Sequence, residues 1–164
     1  MLFVLSAHAA VQTQPIATFE GGDQFGYSVS GAGDVDGDGF QDLVIGGEGE
    51  VAIFLGGAEG VSQPPTLLTS TFQTSFGAAV AGAGDVNGDG FDDLLVGDPY
   101  AAGDRGAVYL VMGSVDGIPS GDQSAAVEFV GTDPDGALGG SVAGAGDLNG
   151  DGYADLVAGA RDAN

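Results

Sequence analysis

Apolar residues occur along this chain in short runs of strand length, separated by stretches rich in glycine, aspartate and serine. Runs such as Val51–Leu55 and Ala107–Met112 are continuous, and this pattern predicts strands buried on both faces rather than half-exposed ones. No segment shows the three-to-four-residue spacing of an amphipathic helix. The pattern therefore predicts an all-β protein.

The predicted strands follow the same order in two consecutive stretches. In each stretch a strand of small residues precedes an apolar strand that begins with aspartate, then a second apolar strand, then a less apolar one. The predicted strands are Gly26–Gly33, Asp42–Ile45, Val51–Leu55 and Thr66–Phe72, followed by Gly77–Gly84, Asp93–Gly97, Ala107–Met112 and Ala125–Val130.

Three segments align without gaps, starting at Phe25, Phe76 and Leu138. The two intervals are 51 and 62 residues, and periods near 50 are typical of propeller blades, each of which is one small antiparallel sheet. The eleven extra residues of the second period are predicted to lie in the connection around Asp116–Gln123. The fold class expected is a β-propeller of four-stranded antiparallel blades, with about three blade equivalents present.

The chain divides into four expected units. Residues 1–24 would supply the outer strands of a preceding blade, residues 25–75 and 76–137 two blades, and residues 138–164 the inner half of another. The first nine residues also resemble the end of a signal peptide, but they lack its basic region and have too short an apolar run. The expected partner of the half-blades is the rest of a propeller, with head-to-tail self-assembly as the alternative.

Each aligned segment contains a nine-residue loop with acidic or amide residues at positions 1, 3, 5 and 9. Calcium takes six to eight oxygen ligands, and alternate residues of a tight loop can direct their oxygens to one ion. Position 7 could add its backbone carbonyl, and glycines at positions 4 and 6 would permit the positive φ of the turn. The predicted ligands are Asp34, Asp36, Asp38, Phe40 and Asp42; Asp85, Asn87, Asp89, Phe91 and Asp93; and Asp147, Asn149, Asp151, Tyr153 and Asp155.

Other loop types explain these positions less well. An EF-hand requires a glutamate at position 12 and flanking helices, whereas position 12 here is Ile45, Val96 or Ala158 within an apolar run. A dockerin-type module also requires helices. Plain solvated turns remain an alternative, although three copies of the loop with the same spacing favour calcium binding. The expected role of the ion is structural and not that of a bridge to a ligand.

The charge of the chain limits its partners. It carries 24 acidic residues against two basic ones, for a formal net charge of −22. Such a chain is not expected to bind nucleic acid, which requires lysine and arginine against the phosphates. No segment is long and apolar enough to insert into a membrane. With no cysteine, neither a disulfide framework nor thiol chemistry is available.

No catalytic constellation stands out, so the chain is not predicted to be an enzyme. His8 is the single histidine and is interpreted as an exposed bystander. Ser28 occupies a segment that resembles a nucleophile elbow but ends in serine instead of glycine. Asp92, Asp133 and Asp135 are not assigned to the loops and are interpreted as solvated turn residues.

Together these motifs resemble the FG-GAP repeat of integrin α-subunit propellers and their bacterial relatives. Phe25-Gly26 and Phe76-Gly77 match its first element, and Gly97-Asp98-Pro99 approximates its last. The resemblance implies calcium loops between the first two strands of each blade. It also implies an extracellular location, either secreted or at the cell surface.

The function expected is a non-catalytic, calcium-binding propeller that acts in adhesion through a protein or glycan ligand. A carbohydrate-binding propeller is one alternative, although tryptophan is absent and the tyrosines do not recur at one repeat position. The non-catalytic part of a larger secreted hydrolase or lyase is another.

Overall fold

The chain folds into short antiparallel sheets. The computed structural model describes residues 2–4, 17–20, 25–47, 49–70, 75–122 and 126–161. The strands within these ranges are β1 (Leu2–Val4), β2 (Ala17–Phe19), β3 (Ser28–Gly33), β4 (Asp42–Gly46), β5 (Glu50–Phe54), β6 (Thr66–Thr69), β7 (Ala79–Gly84), β8 (Asp93–Asp98), β9 (Ala107–Val111), β10 (Gly121–Asp122), β11 (Val127–Val130), β12 (Leu138–Gly146) and β13 (Asp155–Ala160), with one helical segment, α1 (Ala101–Asp104).

Two of the sheets contain a complete set of four antiparallel strands. The first has the order β3-β4-β5-β6 and the second the order β7-β8-β9-β11, each strand pairing with the next one of its set. Four strands in sequential order are the unit of a propeller blade. The predicted all-β fold of propeller blades is confirmed, and the predicted strand bounds differ from the observed ones by one or two residues where both are described. Ala125 and the end of the predicted strand Thr66–Phe72 lie outside the described residues.

Two further strand pairs flank these sheets. β1 pairs antiparallel with β2, and β12 pairs antiparallel with β13. The ring of Phe19 in β2 packs against Phe54 of the first sheet, with centroids 4.3 Å apart. The assignment of β1 and β2 to a separate blade stays a prediction, and His8 lies outside the described residues.

The apolar runs of the two larger sheets are buried on both faces because each of these sheets has a neighbour on either side. In β4, Val44 faces the second sheet, whereas Ile45 packs with Phe19 and Phe54 on the opposite face. In β8, Leu94 belongs to the cluster shared with the first sheet, and its neighbour Leu95 packs towards β12 and β13. Burying each such side chain contributes roughly 1.5–3 kcal/mol. Stacking of sheets is therefore what stabilises strands with this unbroken apolar pattern.

The first strands β3, β7 and β12 contact one another in succession. A Cβ added to Gly82 in β7 would lie 2.9 Å from the carbonyl oxygen of Ala32 in β3, and one on Gly144 in β12 would lie 2.6 Å from that of Gly82. Real Cβ atoms do not approach backbone oxygens so closely. The small residues of the first strands are thus required by the close approach of neighbouring blades.

The structure corrects the predicted position of the extra residues in the second period. They do not all lie around Asp116–Gln123, because eight residues (99–106) join β8 to β9 where only three (47–49) join β4 to β5. The longer turn contains α1, whose Ala102 and Gly103 have positive φ, so it is a pair of turns rather than a regular helix. Apolar periodicity could not predict it because it is only four residues long.

The connection between β9 and β11 contains a strand that the sequence did not predict. β10 pairs in parallel with β6, which makes the first sheet five-stranded. A segment from the second period therefore covers the outer edge of the first blade, which would otherwise be an unpaired strand edge. Among the described residues, no helix is long and apolar enough to cross a membrane.

Candidate metal centres

The three predicted loops each connect the first and second strands of a blade. They span residues 34–41, 85–92 and 147–154, between β3 and β4, β7 and β8, and β12 and β13. The small-residue strand before each loop and the apolar strand after it form one hairpin. The aspartate at position 9 is the first residue of the second strand of that hairpin.

The aspartate at position 1 organises each loop by accepting hydrogen bonds from its backbone. Asp34 accepts from the amides of Asp38 and Gly39, at 3.0 and 2.9 Å. Asp85 and Asp147 accept in the same way from three amides each, at 2.6–3.2 Å and 2.7–3.1 Å. These bonds wrap the backbone around the carboxylate.

The glycines at positions 4 and 6 take up the left-handed backbone that the wrapping requires. In the first loop Gly37 has φ of 73° and Gly39 has φ of 90°, and the other two loops repeat these values to within about 5°. Residues with a Cβ are strained in this region, and glycine is not. The predicted positive φ at these positions is confirmed.

The aspartate at position 9 is more constrained than the sequence suggested. Asp42 is buried and accepts hydrogen bonds from Val35 at 2.7 Å and Gly56 at 2.7 Å, one on each carboxylate oxygen. Asp93 is equally buried and accepts from Val86 and Gly113, at 3.0 and 2.8 Å. In the third loop Asp155 is half-buried, and its described bond comes from Leu148 at 2.8 Å. In the first two blades this residue ties the loop to the end of the third strand, a role that spacing alone does not reveal.

The first loop brings three carboxylates together. Oxygen atoms of Asp34, Asp36 and Asp42 all lie within 4.8 Å of one another, the only such group of acidic, histidine or cysteine side chains among the described residues. Calcium binds oxygen at about 2.3–2.6 Å, so two ligands on opposite sides of one ion are separated by about 5 Å. The spacing and the all-oxygen chemistry therefore fit calcium. Asp38 lies outside this group, and one of its oxygens accepts from the amide of Phe40 at 2.8 Å.

The second and third loops differ at position 3, where asparagine replaces aspartate. The amide nitrogens of Asn87 and Asn149 donate to Asp89 and Asp151, at 2.8 and 3.0 Å. The oxygen of each asparagine accepts from the backbone of the same aspartate, at 2.9 and 2.8 Å. Positions 3 and 5 are thus paired directly with each other in these two loops.

Burial raises the pKa of the loop aspartates, whereas hydrogen bonds from the backbone lower it. Burial raises the pKa of Asp36, and the charges of Asp38 and Asp34 add to the effect. Burial also raises the pKa of Asp42, against the opposing effect of its two backbone hydrogen bonds. The first loop therefore holds carboxylates whose charge is poorly compensated by the protein alone, and a bound cation would compensate it.

The pKa values of the position-1 aspartates in the second and third loops shift in the other direction. For Asp85, desolvation acts to raise the pKa, but backbone hydrogen bonds led by the one from Gly90 outweigh it and lower the pKa. For Asp147, the hydrogen bond from Gly152 is the largest cause of a lowered pKa. Both carboxylates are kept charged by the loop backbone, which is the form that binds a cation.

Adjacent loops touch each other, which the sequence did not predict. A Cβ on Gly37 would lie 2.8 Å from the ring of Phe91, and one on Gly88 would lie 2.7 Å from the ring of Tyr153. The aromatic residue at position 7 therefore covers the glycine at position 4 of the preceding loop.

Asp92, interpreted from sequence as a solvated turn residue, instead accepts a 2.8 Å hydrogen bond from the amide of Asp34. Position 8 is Gln41, Asp92 or Ala154 in the three loops, so the repeat gave no signal that this position contacts the preceding loop.

Two family descriptions match the chain. An FG-GAP-like repeat matches residues 34–96 and an FG-GAP repeat matches residues 138–164, together more than half of the sequence. The first match begins at the first loop and ends in β8. The second includes the whole of the third hairpin. The two matches thus include all three loops.

Named relatives share the same repeats. Integrin alpha-5 of Xenopus laevis is 35% identical over 83% of this chain. Integrin alpha-6 of Gallus gallus is 36% identical over 86% of the chain, and integrin alpha-V of Gallus gallus 34% identical over 83%. The chain spans only 14–15% of the length of these three relatives. With three matching loops in sequential antiparallel blades, the chain belongs to the FG-GAP repeat family and is an integrin α-like segment of it.

Proposed function

We propose that this chain is a non-catalytic, calcium-binding propeller segment of a cell-surface or secreted protein, acting in adhesion through a protein ligand. Calcium binding is supported above all by the carboxylate oxygens of Asp34, Asp36 and Asp42, which lie within 4.8 Å of one another at the end of one hairpin. Support for adhesion at the cell surface comes from the relatives, which are named as integrin α subunits.

The proposed ligands are the oxygens at positions 1, 3, 5 and 9 of each loop and the backbone carbonyl at position 7. When bound, the ion would neutralise carboxylates that otherwise repel one another. Asp42 and Asp93 would combine two tasks, because their oxygens already accept backbone hydrogen bonds and retain lone pairs for a cation. The role assigned to calcium is structural, since the loops close the hairpins on which the sheets depend.

Calorimetry and thermal melting test this proposal together. About three calcium ions per chain are expected to bind, with dissociation constants of about 10⁻⁴–10⁻³ M as in extracellular modules. At 10 mM calcium and a dissociation constant near 1 mM, each site would stabilise the fold by about 1.4 kcal/mol. Three such sites would raise the melting temperature by about 10 °C.

The matched variants are Asp36→Ala in the first loop and Glu59→Ala at an exposed position outside the loops. Both remove one negative charge, but only the first is expected to reduce the number of ions bound. Equal calcium binding by both variants, or a melting temperature that calcium leaves unchanged, would contradict the proposal. Binding of the chain to sugars on a glycan array would favour the carbohydrate-binding alternative.

Additional blade strands are the proposed partner of the third hairpin. Val157 in β13 is 51% exposed, whereas Val44 and Leu95 at the same repeat position are at most 1% exposed. A cavity of about 290 Å³ lies beside it, lined in part by Phe129 and Leu156. The rest of a propeller, or a second copy joined head to tail, would cover these residues. Sedimentation distinguishes the two, because only the second predicts association of this chain with itself.

A further inference from the structure

Asp92 joins the second blade to the first loop through a reciprocal pair of hydrogen bonds. The amide of Asp34 donates to the Asp92 carboxylate at 2.8 Å, and the amide of Asp92 donates to the Asp34 carbonyl at 3.0 Å. Both residues are partly buried. Asp34 is position 1 of the first loop, so the bonds fix the backbone at the residue whose carboxylate organises that loop.

Other residues of the second blade enclose the same loop. The ring of Phe91 lies over Gly37, and the amide of Ser114 donates to the carbonyl of Val35 at 3.0 Å. A Cβ on Gly33 would lie only 2.6 Å from the Cβ of Asp92. Glycine at position 33 is what admits the Asp92 side chain to the first loop.

The second loop provides a natural comparison. The amide of Ala154 donates to the carbonyl of Asp85 at 3.0 Å, which repeats one of the two bonds between Asp92 and Asp34. Alanine has no side-chain acceptor, so the bond from the position-1 amide to a neighbouring carboxylate has no counterpart there. A Cβ on Gly84 would lie 3.0 Å from the Cβ of Ala154, against 2.6 Å at Gly33, so the backbones of the two blades also approach closely here.

We infer that Asp92 is a positioning residue that tightens calcium binding by the first loop from the adjacent blade. This inference rests on the proposed calcium function. By accepting from the Asp34 amide, Asp92 holds the start of the loop in the orientation in which the Asp34 carboxylate faces Asp36 and Asp42. The effect depends on the side-chain oxygen of Asp92 as a hydrogen-bond acceptor, not on its charge. The second loop lacks this support because Ala154 stands at the position equivalent to Asp92.

Calcium titrations followed by nuclear magnetic resonance can measure the loops separately. The amides of Gly39, Gly90 and Gly152, at position 6 of each loop, report the dissociation constant of their own loop. Asp92→Ala is expected to weaken binding by the first loop about 3- to 10-fold, the usual range for one hydrogen bond. The other two loops should change little. Asp92→Asn keeps a side-chain oxygen acceptor and should restore most of the affinity.

Two further measurements complete the test. Ala154→Asp should strengthen calcium binding by the second loop alone, because it supplies the missing acceptor. In the metal-free protein, Asp92→Ala should speed hydrogen exchange of the Asp34 amide, and Asp92→Asn should not.

The inference is overturned if Asp92→Ala leaves the Gly39 titration unchanged, or if it weakens all three loops equally, which would indicate general destabilisation. Loss of affinity in Asp92→Asn as large as in Asp92→Ala would assign the effect to charge and also overturn it. If wild-type Gly39 does not respond to about 10 mM calcium, well above the weakest expected constant, the proposed function itself fails. If Asp92→Ala nevertheless speeds exchange of the Asp34 amide, the hydrogen bond between Asp34 and Asp92 is purely structural. The positioning role in calcium binding is then rejected together with the proposed function.

Discussion

The first and third hairpins carry almost the same sequence in different surroundings. Around the first loop, the second blade places Phe91 over Gly37 and Asp92 against Asp34. Around the third loop, a Cβ on Gly150 would meet no described atom within 4 Å. Three carboxylates converge in the first loop and not in the third, where Asn149 at position 3 leaves one carboxylate fewer. One repeat sequence thus defines the turn, and the neighbouring blade defines how tightly it is held.

The strands show the same contrast. Leu95 in β8 is almost completely buried, whereas Val157 at the same repeat position in β13 is half exposed. The difference lies in what packs on them, because Leu95 is covered by β12 and β13 and its strand β8 is flanked by β7 and β9. For β13, the described pairing is with β12 alone. Comparisons between matched positions of these hairpins therefore isolate the contribution of the neighbouring strands.

The largest expected difference is between Leu95→Ala and Val157→Ala. Leu95→Ala removes a buried side chain between two blades and should lower the free energy of unfolding by about 2–5 kcal/mol. Val157→Ala at the exposed position should cost about 0.5 kcal/mol or less. Denaturant unfolding of both variants in the same buffer measures the two values. Equal costs would mean that the third hairpin is covered in solution.

A smaller difference is expected between Asp42→Ala and Asp155→Ala in calcium-free buffer. Asp42→Ala leaves the buried amide of Val35 and the partly buried amide of Gly56 without their acceptor, at a cost of about 2–4 kcal/mol. Asp155 is half-buried, so water can replace it and the loss should be about 1 kcal/mol or less. The same unfolding experiment measures both. If Asp155→Ala proved as costly as Asp42→Ala, the tie to the third strand would not be what stabilises position 9.

These contrasts show how far the sequence alone could lead. The apolar runs and the spacing of Asp34, Asp85 and Asp147 were sufficient for the blades, the hairpins and the loop positions, because these depend on local periodicity. The roles of Asp92 and of the Gly56 amide could not be predicted, since both depend on contacts between residues far apart in sequence. The strand β10 was missed for the same reason, as it consists of two residues paired with another blade.

The smallest expected effect concerns pH in the metal-free protein. Because the pKa of Asp42 is raised above 3.8 in the folded protein, its charged form destabilises the fold at neutral pH. This destabilisation is lost as the pH falls through the folded-state pKa and Asp42 takes up its proton. The lowered pKa of Asp147 has the opposite sign, so its stabilising contribution is lost only as the pH falls below 3.8.

Carboxyl carbon chemical shifts followed through an acid titration should show Asp42 taking up its proton before Asp147. The reverse order would mean that burial does not dominate in the first loop. Calcium should abolish the early protonation of Asp42, because a bound cation favours the charged form.

The most direct measurement is a crystal structure grown in about 10 mM calcium, with anomalous scattering to identify the ion. An anomalous peak is expected in each of the three loops, about 2.3–2.6 Å from the oxygens at positions 1, 3, 5 and 9. Loops without a peak, with Asp34 and Asp36 turned into water, would contradict the proposed calcium binding.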